Sequence, residues 1–552
     1  MLYKLFQILK TLSVKERYIV ASACGIFVLS AILLGVSFFY QQTIASPVEG
    51  GGYKEGIIGQ PVAINPIIAG DNDTDRDLIA LLFASLFDFT EKYETDAQQK
   101  VWTITLKPNL KWSDGEPITA DDIIFTINVI QDPDVRSPFF ATWQGVLAER
   151  LSEREVRLTL KNPYAFFLDN IKNLRIAPGH IFDAIPPQNF RLSEFNFRPV
   201  GSGPYKVVNF EKRSDGFIEK YILTGNKYYA LAKPFINNFL VKLFANKTDA
   251  INAFNAKEID GIGGLDQSDL ENLKIKQQVF KIDRPRYYGI FFNQSTSVPL
   301  KEKEVRAALS QAVDKEKILN TVLGGLGFAV NGPIPPTMSG YDPLIYKDAE
   351  FSLEKASTTL AKAGWVIGDD GIRAKSTSKG KIKLAFDIIV PEVHFLVDTV
   401  NIVKDDWLKI GVALNPIILK PSDAINSAIK PRNYQMIIFG NTLNNNPDIF
   451  SFWHSSQRFD PGLNLALFND KTTDGLLESL RQTLDEATRL QNLSKLQKII
   501  NDQKPAIFIY SPQYLYITSK NLSGFAAKTI AVPANRFEAV NGWYLKTARV
   551  FK

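Results

Sequence analysis

Cysteine and histidine are almost missing from this chain. Cys24 is the single cysteine among 552 residues, so no intramolecular disulfide and no cysteine-based zinc site can form. The three histidines, His180, His394 and His454, stand far apart, which speaks against a histidine-rich metal centre. No phosphate-cradling Gly-x-x-x-x-Gly-Lys motif, no His-Glu-x-x-His and no Gly-x-Ser-x-Gly occurs, and nothing implies a cofactor. A charge excess is lacking too. Lys+Arg 64 against Asp+Glu 58 leaves +6, too mild and too evenly spread for a nucleic-acid partner. What remains is an ordinary globular composition, 45% apolar and 22% charged. The length allows about three or four structural units.

Residues 19–40 form one uncharged run of 22 residues, preceded by Lys4, Lys10, Lys15, Glu16 and Arg17. At about 1.5 Å per residue such a helix reaches roughly 33 Å, enough to span a bilayer. The flanking cations place residues 1–18 in the cytoplasm and everything after residue 40 outside the cell membrane, in a single-pass arrangement. Two other readings compete. A signal peptide cleaved after Ile44-Ala45-Ser46 would need a shorter apolar core. A lipoprotein cysteine at Cys24 would need its apolar run ahead of it, whereas most of this run follows. Residues 41–53, small, polar and Gly-rich, read as a flexible linker.

Beyond the linker, strand and helix patterns mix to the end. Trp102, Ile104 and Leu106 alternate as a strand, as do Val156, Leu158 and Leu160. Thr119 followed by Asp122 matches a capping box ahead of a helical apolar run. Apolar spacing predicts single long helices over residues 301–323 and 473–501. Ile382, Leu384, Phe386 and Ile388 predict one strand, and residues 436–439 another. The pattern is α/β, in two or more lobes.

Candidate chemistry has bland competitors. Gly201-Ser202-Gly203-Pro204 lacks a nearby base and reads as a glycine-dependent loop. Asp121 and Asp122 diverge in a helix's first turn and read as caps. His394 and His454 read as hydrogen-bonded side chains. The glycines of Gly324-Gly325-Leu326-Gly327 follow a helix and fit its C-terminus, where no phosphate would sit. Trp143, Tyr287, Tyr288 and Trp453 fit either core or cleft wall.

Six blocks in order, residues 287–293 with 305–309 counting as one, resemble the extracellular solute-binding proteins of family 5, the peptide-, oligopeptide- and nickel-type receptors of ABC importers. They are Lys111-Trp112-Ser113-Asp114-Gly115-Glu116-Pro117 with Thr119-Ala120-Asp121-Asp122, residues 199–205, residues 253–260, residues 287–293, residues 305–309, Asn446-Pro447-Asp448-Ile449-Phe450 with Trp453 and Ser455, and Gly462-Leu463-Asn464. The likeness runs over about residues 53–545. It implies a two-lobed, type 2 periplasmic-binding-protein-like fold with an extra subdomain in lobe 1. Lobe 1 would hold residues 54–285 plus 508–552 and lobe 2 residues 286–507. The chain would cross between them near residues 283–290 and 506–511. It further implies a monomer that binds a peptide or other small polar solute between the lobes and hands it to separate ABC permease subunits. Chemistry is not implied. A sensor without transport and an extracytoplasmic hydrolase are the competing readings.

Peptide-binding members hold the ligand's ammonium with an aspartate just before an Asp-Pro-Asp segment. Here Leu443 or Asn444 stands at that place, and Asn446 replaces the first Asp. Either the asparagines redirect specificity to a neutral, polyhydroxylated or blocked ligand, or they satisfy turn backbone. Asn441, Asn444, Asn445, Asn446, Tyr287, Tyr288 and Trp143 are the candidate substrate-binding residues.

Overall fold

The computed structural model describes residues 11, 13–347, 350–378, 380–444, 446–519 and 521–552. Asn445 therefore lies outside the described residues.

The first described helix is Val14–Gln42, closed at its start by a Ser13–Glu16 capping box, with none of its residues buried. It does not lead into a tether. Thr43–Val48 pairs antiparallel with Lys546–Phe551, in register from Thr43↔Phe551 to Val48↔Lys546, and Gly52–Ile58 is already a strand. The linker expectation is thus corrected. The partner strand lies 500 residues away, so local composition carried no sign of it.

Gly52–Ile58 sits inside a seven-stranded sheet. Its order is Gln277–Ile282, Tyr514–Ser519, Gly261–Leu265, Gly52–Ile58, Asn238–Phe244, Ile218–Gly225 and Tyr205–Lys212. A four-stranded sheet of residues 90–159 packs into the same apolar core, which includes Trp102, Ile104, Leu106, Val156 and Leu158. The core also encloses an ionic network. Arg536 donates to both Asp77 carboxylate oxygens at 2.7 Å and to Glu55 Oε1 at 3.0 Å, while Tyr516 donates to Glu55 Oε2 at 2.7 Å. Burial pushes Glu55 up to about 7, with Arg536 opposing. Charges so enclosed are tolerated only because the network is complete.

The second body is built on a six-stranded sheet ordered Gly327–Ala329, Ala506–Pro512, Arg286–Phe292, Met436–Thr442, Ala385–Pro391 and Ala413–Leu419. The chain leaves the first sheet after Ile282, enters the second at Arg286, and returns between Pro512 and Tyr514. The return thus falls after strand Ala506–Pro512, beyond the expected 506–511, and residues 508–512 belong to the second sheet. The two crossovers hold each other. Ser511 Oγ donates to the Arg284 carbonyl at 3.0 Å, and Gln513 Nε2 to Asp283 Oδ1 at 2.8 Å.

Three further expectations change. Residues 301–323 form two helices, Lys303–Gln311 and Lys315–Leu323, because Asp314 caps the second by accepting from the Lys317 amide. Residues 473–501 likewise divide into Lys471–Gln482 and Glu486–Gln503, with Asp485 as the cap. In each pair the apolar period continues across the break, so periodicity alone concealed it. The strand read through residues 382–388 is two strands: Gly380–Lys383 joins a three-stranded sheet and Ala385–Pro391 the six-stranded one.

Local signals otherwise hold. Thr119 and Asp122 form the capping box of Ala120–Gln131, and Gly324 ends Lys315–Leu323 at φ 56°. Gly201 and Gly203 lie against the end of helix Asp73–Leu82, where a Cβ would strike the Leu82 backbone. Ser202 and Gly203 both donate their amides to the Leu82 carbonyl, at 2.9 and 2.8 Å. The loop clamps a helix end instead of presenting a nucleophile.

Candidate functional site

A cavity of about 1540 Å³ opens between the two sheet-bearing bodies. One wall comes from helix Asp73–Leu82, the short helix Phe140–Trp143, residues 160–175 and the turn Pro533–Phe537. The other comes from residues 442–444, 446, 448, 450–452 and 481–482, where the chain leaves strand Met436–Thr442. Aromatic rings (Phe83, Phe87, Trp143, Phe450) alternate around it with amides such as Gln144 and Asn162. It exceeds the roughly 300–1,000 Å³ of typical small-molecule sites.

The candidates divide. Trp143, Asn444 and Asn446 line the cavity. Asn441 and Tyr287 do not. They oppose each other on neighbouring strands, and Asn441 Nδ2 donates to the Tyr287 hydroxyl at 2.9 Å. Both are buried, so their polar groups satisfy each other inside lobe 2. Tyr288 packs against Phe395 and Tyr510, with the Arg286 guanidinium 5.0 Å from its ring centroid. Asn441 and Tyr287 are thus core residues, and Tyr288 is a partly buried ring packed against the second body's core. Adjacent residues of a strand point to opposite faces, and the sequence alone does not tell which face meets a cavity.

Asn446 is committed to the loop and across it. Its Oδ1 accepts from the Asp448 amide at 3.2 Å, and its Nδ2 donates to Asp169 Oδ2 at 3.1 Å on the opposite wall. Leu443 is buried in the second body's core, and its amide donates to the Pro285 carbonyl of the first crossover. Asp448 is occupied as well. Arg481 Nε donates to its two oxygens at 3.0 and 2.9 Å, and Tyr164 donates to Oδ2 at 2.8 Å. Arg481 also lies 3.8 Å over the Phe450 ring. Burial, reinforced by the Asp448 charge, raises the Tyr164 pKa and keeps the phenol protonated. The loop thus offers no unpaired carboxylate.

Sequence reasoning missed Tyr164, Asp169, Arg175, Arg481 and Glu538, all of which line the cavity. They come from remote parts of the chain and carry no motif. Arg175 donates to the Phe83 carbonyl. Burial lowers its pKa, with Asp88 and Glu538 opposing, and burial raises Glu538, with Arg175 opposing. That end of the cavity is a mixed-charge pocket with two carboxylates around one guanidinium.

The histidines stay outside this chemistry. His180 Nε2 lies 2.9 Å from Asp114 Oδ2, His454 bonds Ser456 and Glu478, and His394 pairs with Asp398 at the surface. Among the described residues, no three His, Cys, Asp or Glu side chains converge as a metal site.

Two α/β bodies joined by paired strand crossovers around one large aromatic and amide-lined cavity define a two-lobed binding protein. Comparison with known proteins agrees. The chain belongs to the bacterial extracellular solute-binding proteins, family 5, whose middle region matches residues 88–460. It is 26% identical over 508 residues to the oligopeptide-binding protein AppA of Bacillus subtilis, covering 88% of this chain and 90% of that one. It is 23% identical over 545 residues to the dipeptide-binding protein of Escherichia coli, covering 92% and 97%. Among solved structures, the ABC transporter substrate-binding protein CtaP of Listeria monocytogenes superposes with a TM-score of 0.79 at 23% identity, over 90% of this chain and 99% of that one. AppA of Bacillus subtilis in complex with a nonapeptide superposes at 0.70 and 24%, over 91% and 100%.

Proposed function

We propose that this chain is a membrane-anchored receptor that captures peptide-like solutes in the interlobe cavity and delivers them to an ABC importer, without performing chemistry itself. The observation that carries this reading is the cavity, with a size and lining suited to an extended chain. Backbone hydrogen bonds of about 1 kcal/mol each supply affinity that does not depend on side-chain identity. Water fills the space that short side chains leave. Whole-length relatives named for oligopeptide and dipeptide binding support the same class. The lobes close about the crossovers at 283–285 and 513. The receptor acts as a monomer, and the permease and ATPase are separate chains.

The helix Val14–Gln42 is the anchor. Its composition suits a bilayer, and the cations at Lys15 and Arg17 orient it with the N-terminus in the cytoplasm. Native mass spectrometry of the full chain in detergent tests the reading. The expected result is extra mass that leaves on denaturation and fragments as peptide. A retained sugar or metal chelate would overturn the peptide class.

A further inference from the structure

We infer that the ribbon Thr43–Val48/Lys546–Phe551 is a membrane-surface collar, seated on anionic lipid headgroups where the anchor leaves the bilayer. This rests on the reading of Val14–Gln42 as a membrane span. The ribbon is a sheet of two strands only, and a lone two-stranded ribbon is marginally stable in water. All six residues of Lys546–Phe551 are exposed, with Phe551 at 72%, and Ile44 stands open beside them. The ribbon is nonetheless fastened to the end of the helix. Arg549 lies 3.7 Å over the Tyr40 ring and donates to the Tyr40 carbonyl and to Thr43 Oγ1. Phe551 meets Phe39 edge to face, and the Lys552 amide donates to the Gln42 carbonyl at 2.9 Å.

The composition names the occupant. Residues 43–48 and 546–552 carry Lys546, Arg549 and Lys552 and no acid. Cations interleaved with exposed aromatic and aliphatic side chains suit the headgroup layer, where rings sit at the interface and each cation attracts anionic lipid. Continuity with the helix places the ribbon at that depth. The collar would hold the receptor at a set height and tilt above the membrane, in contrast to a chain free on a flexible tether. It also gives residues 43–48 a structural role that cleavage near Ser46 would destroy.

Cys24 is the single cysteine, so one fluorophore on full-length protein in vesicles reads each position. Labels at Cys24, and at Phe551→Cys, Thr547→Cys or Val208→Cys in a Cys24→Ser background, are compared in phosphatidylcholine with and without phosphatidylglycerol. Headgroup- and acyl-chain-nitroxide lipids serve as quenchers. The expected result is acyl-chain quenching at 24, headgroup quenching at 551 and 547, and none at 208. Phosphatidylglycerol should raise collar occupancy about fivefold or more, and Lys546→Glu with Lys552→Glu should abolish that gain. Labels at 551 and 547 behaving like 208 while 24 is quenched would overturn the collar and leave the span intact. An unquenched label at 24 would instead overturn the span. Labels at 551 and 547 that escape both lipid quenchers and respond instead to a second copy or a permease chain would assign the ribbon to that protein and overturn the lipid assignment.

Discussion

Tyr164 donates its phenol hydrogen to Asp448 Oδ2 at 2.8 Å across the mouth of the cavity, between residues 284 positions apart. Around this bond, Ala165 donates its amide to the Arg481 carbonyl at 2.7 Å, and Phe166 is buried in the second body's core. With the Asn446–Asp169 contact, these groups latch the two walls together. Removing the phenol hydroxyl should weaken closure by about 1 kcal/mol. Tyr164→Phe is therefore expected to release bound ligand about fivefold faster. Stopped-flow displacement measures this, and small-angle scattering should show a larger radius of gyration.

Trp143 lines the cavity yet is 2% exposed and stacks edge-on against Phe167 at 5.6 Å. It serves packing before ligand contact. Trp143→Ala should destabilise the first body by about 3–5 kcal/mol, while Trp143→Phe should cost far less and retain ligand. Thermal denaturation of the two variants separates those roles.

The loop after strand Met436–Thr442 has its carboxylate and its Asn446 amide already engaged. A peptide's ammonium gains no unpaired partner there. Peptides with free and acetylated N-termini should bind within about tenfold of each other by calorimetry, since a buried ion pair lost to acetylation would cost more. A larger preference for the free form would assign the ammonium to the Asp88 and Glu538 end.

Lys315 donates to the carbonyl of Val330 at 3.0 Å and to Asn331, inside the second body. Burial, with the Lys504 cation adding, pushes it down to about 7 from the ordinary lysine value of 10.5. Between those two values the unfolded chain binds more protons than the folded one, so stability rises with pH across that window. Below pH 7 both states are protonated and the penalty is constant. Melting temperature followed from pH 6 to pH 10 should rise more steeply in the natural protein than in Lys315→Met.

Much of the architecture was legible in short stretches. Alternation at Trp102, Ile104 and Leu106, the Thr119 cap and the Gly324 helix end each depend on neighbours within a few residues, and each stands as read. The ordered blocks from Lys111 to Asn464 carried the family, and with it the two-lobed plan. The same local view merged four helices into two, because Asp314 and Asp485 cap a new helix without disturbing the apolar period.

The cavity wall was another matter. Asn441 faces Tyr287 because strand register opposes them, and Asp448 meets Tyr164 and Arg481 because two lobes dock. Lys546–Phe551 finds Thr43–Val48 only when the chain's ends come together. A sequence specifies such contacts through the whole fold, since partners hundreds of residues apart share no local pattern. Side-chain chemistry and spacing therefore determined many of the elements, the apolar N-terminal helix and the family. Strand pairing and lobe docking decided which asparagines, tyrosines and charges face the ligand space and which are spent holding it in shape.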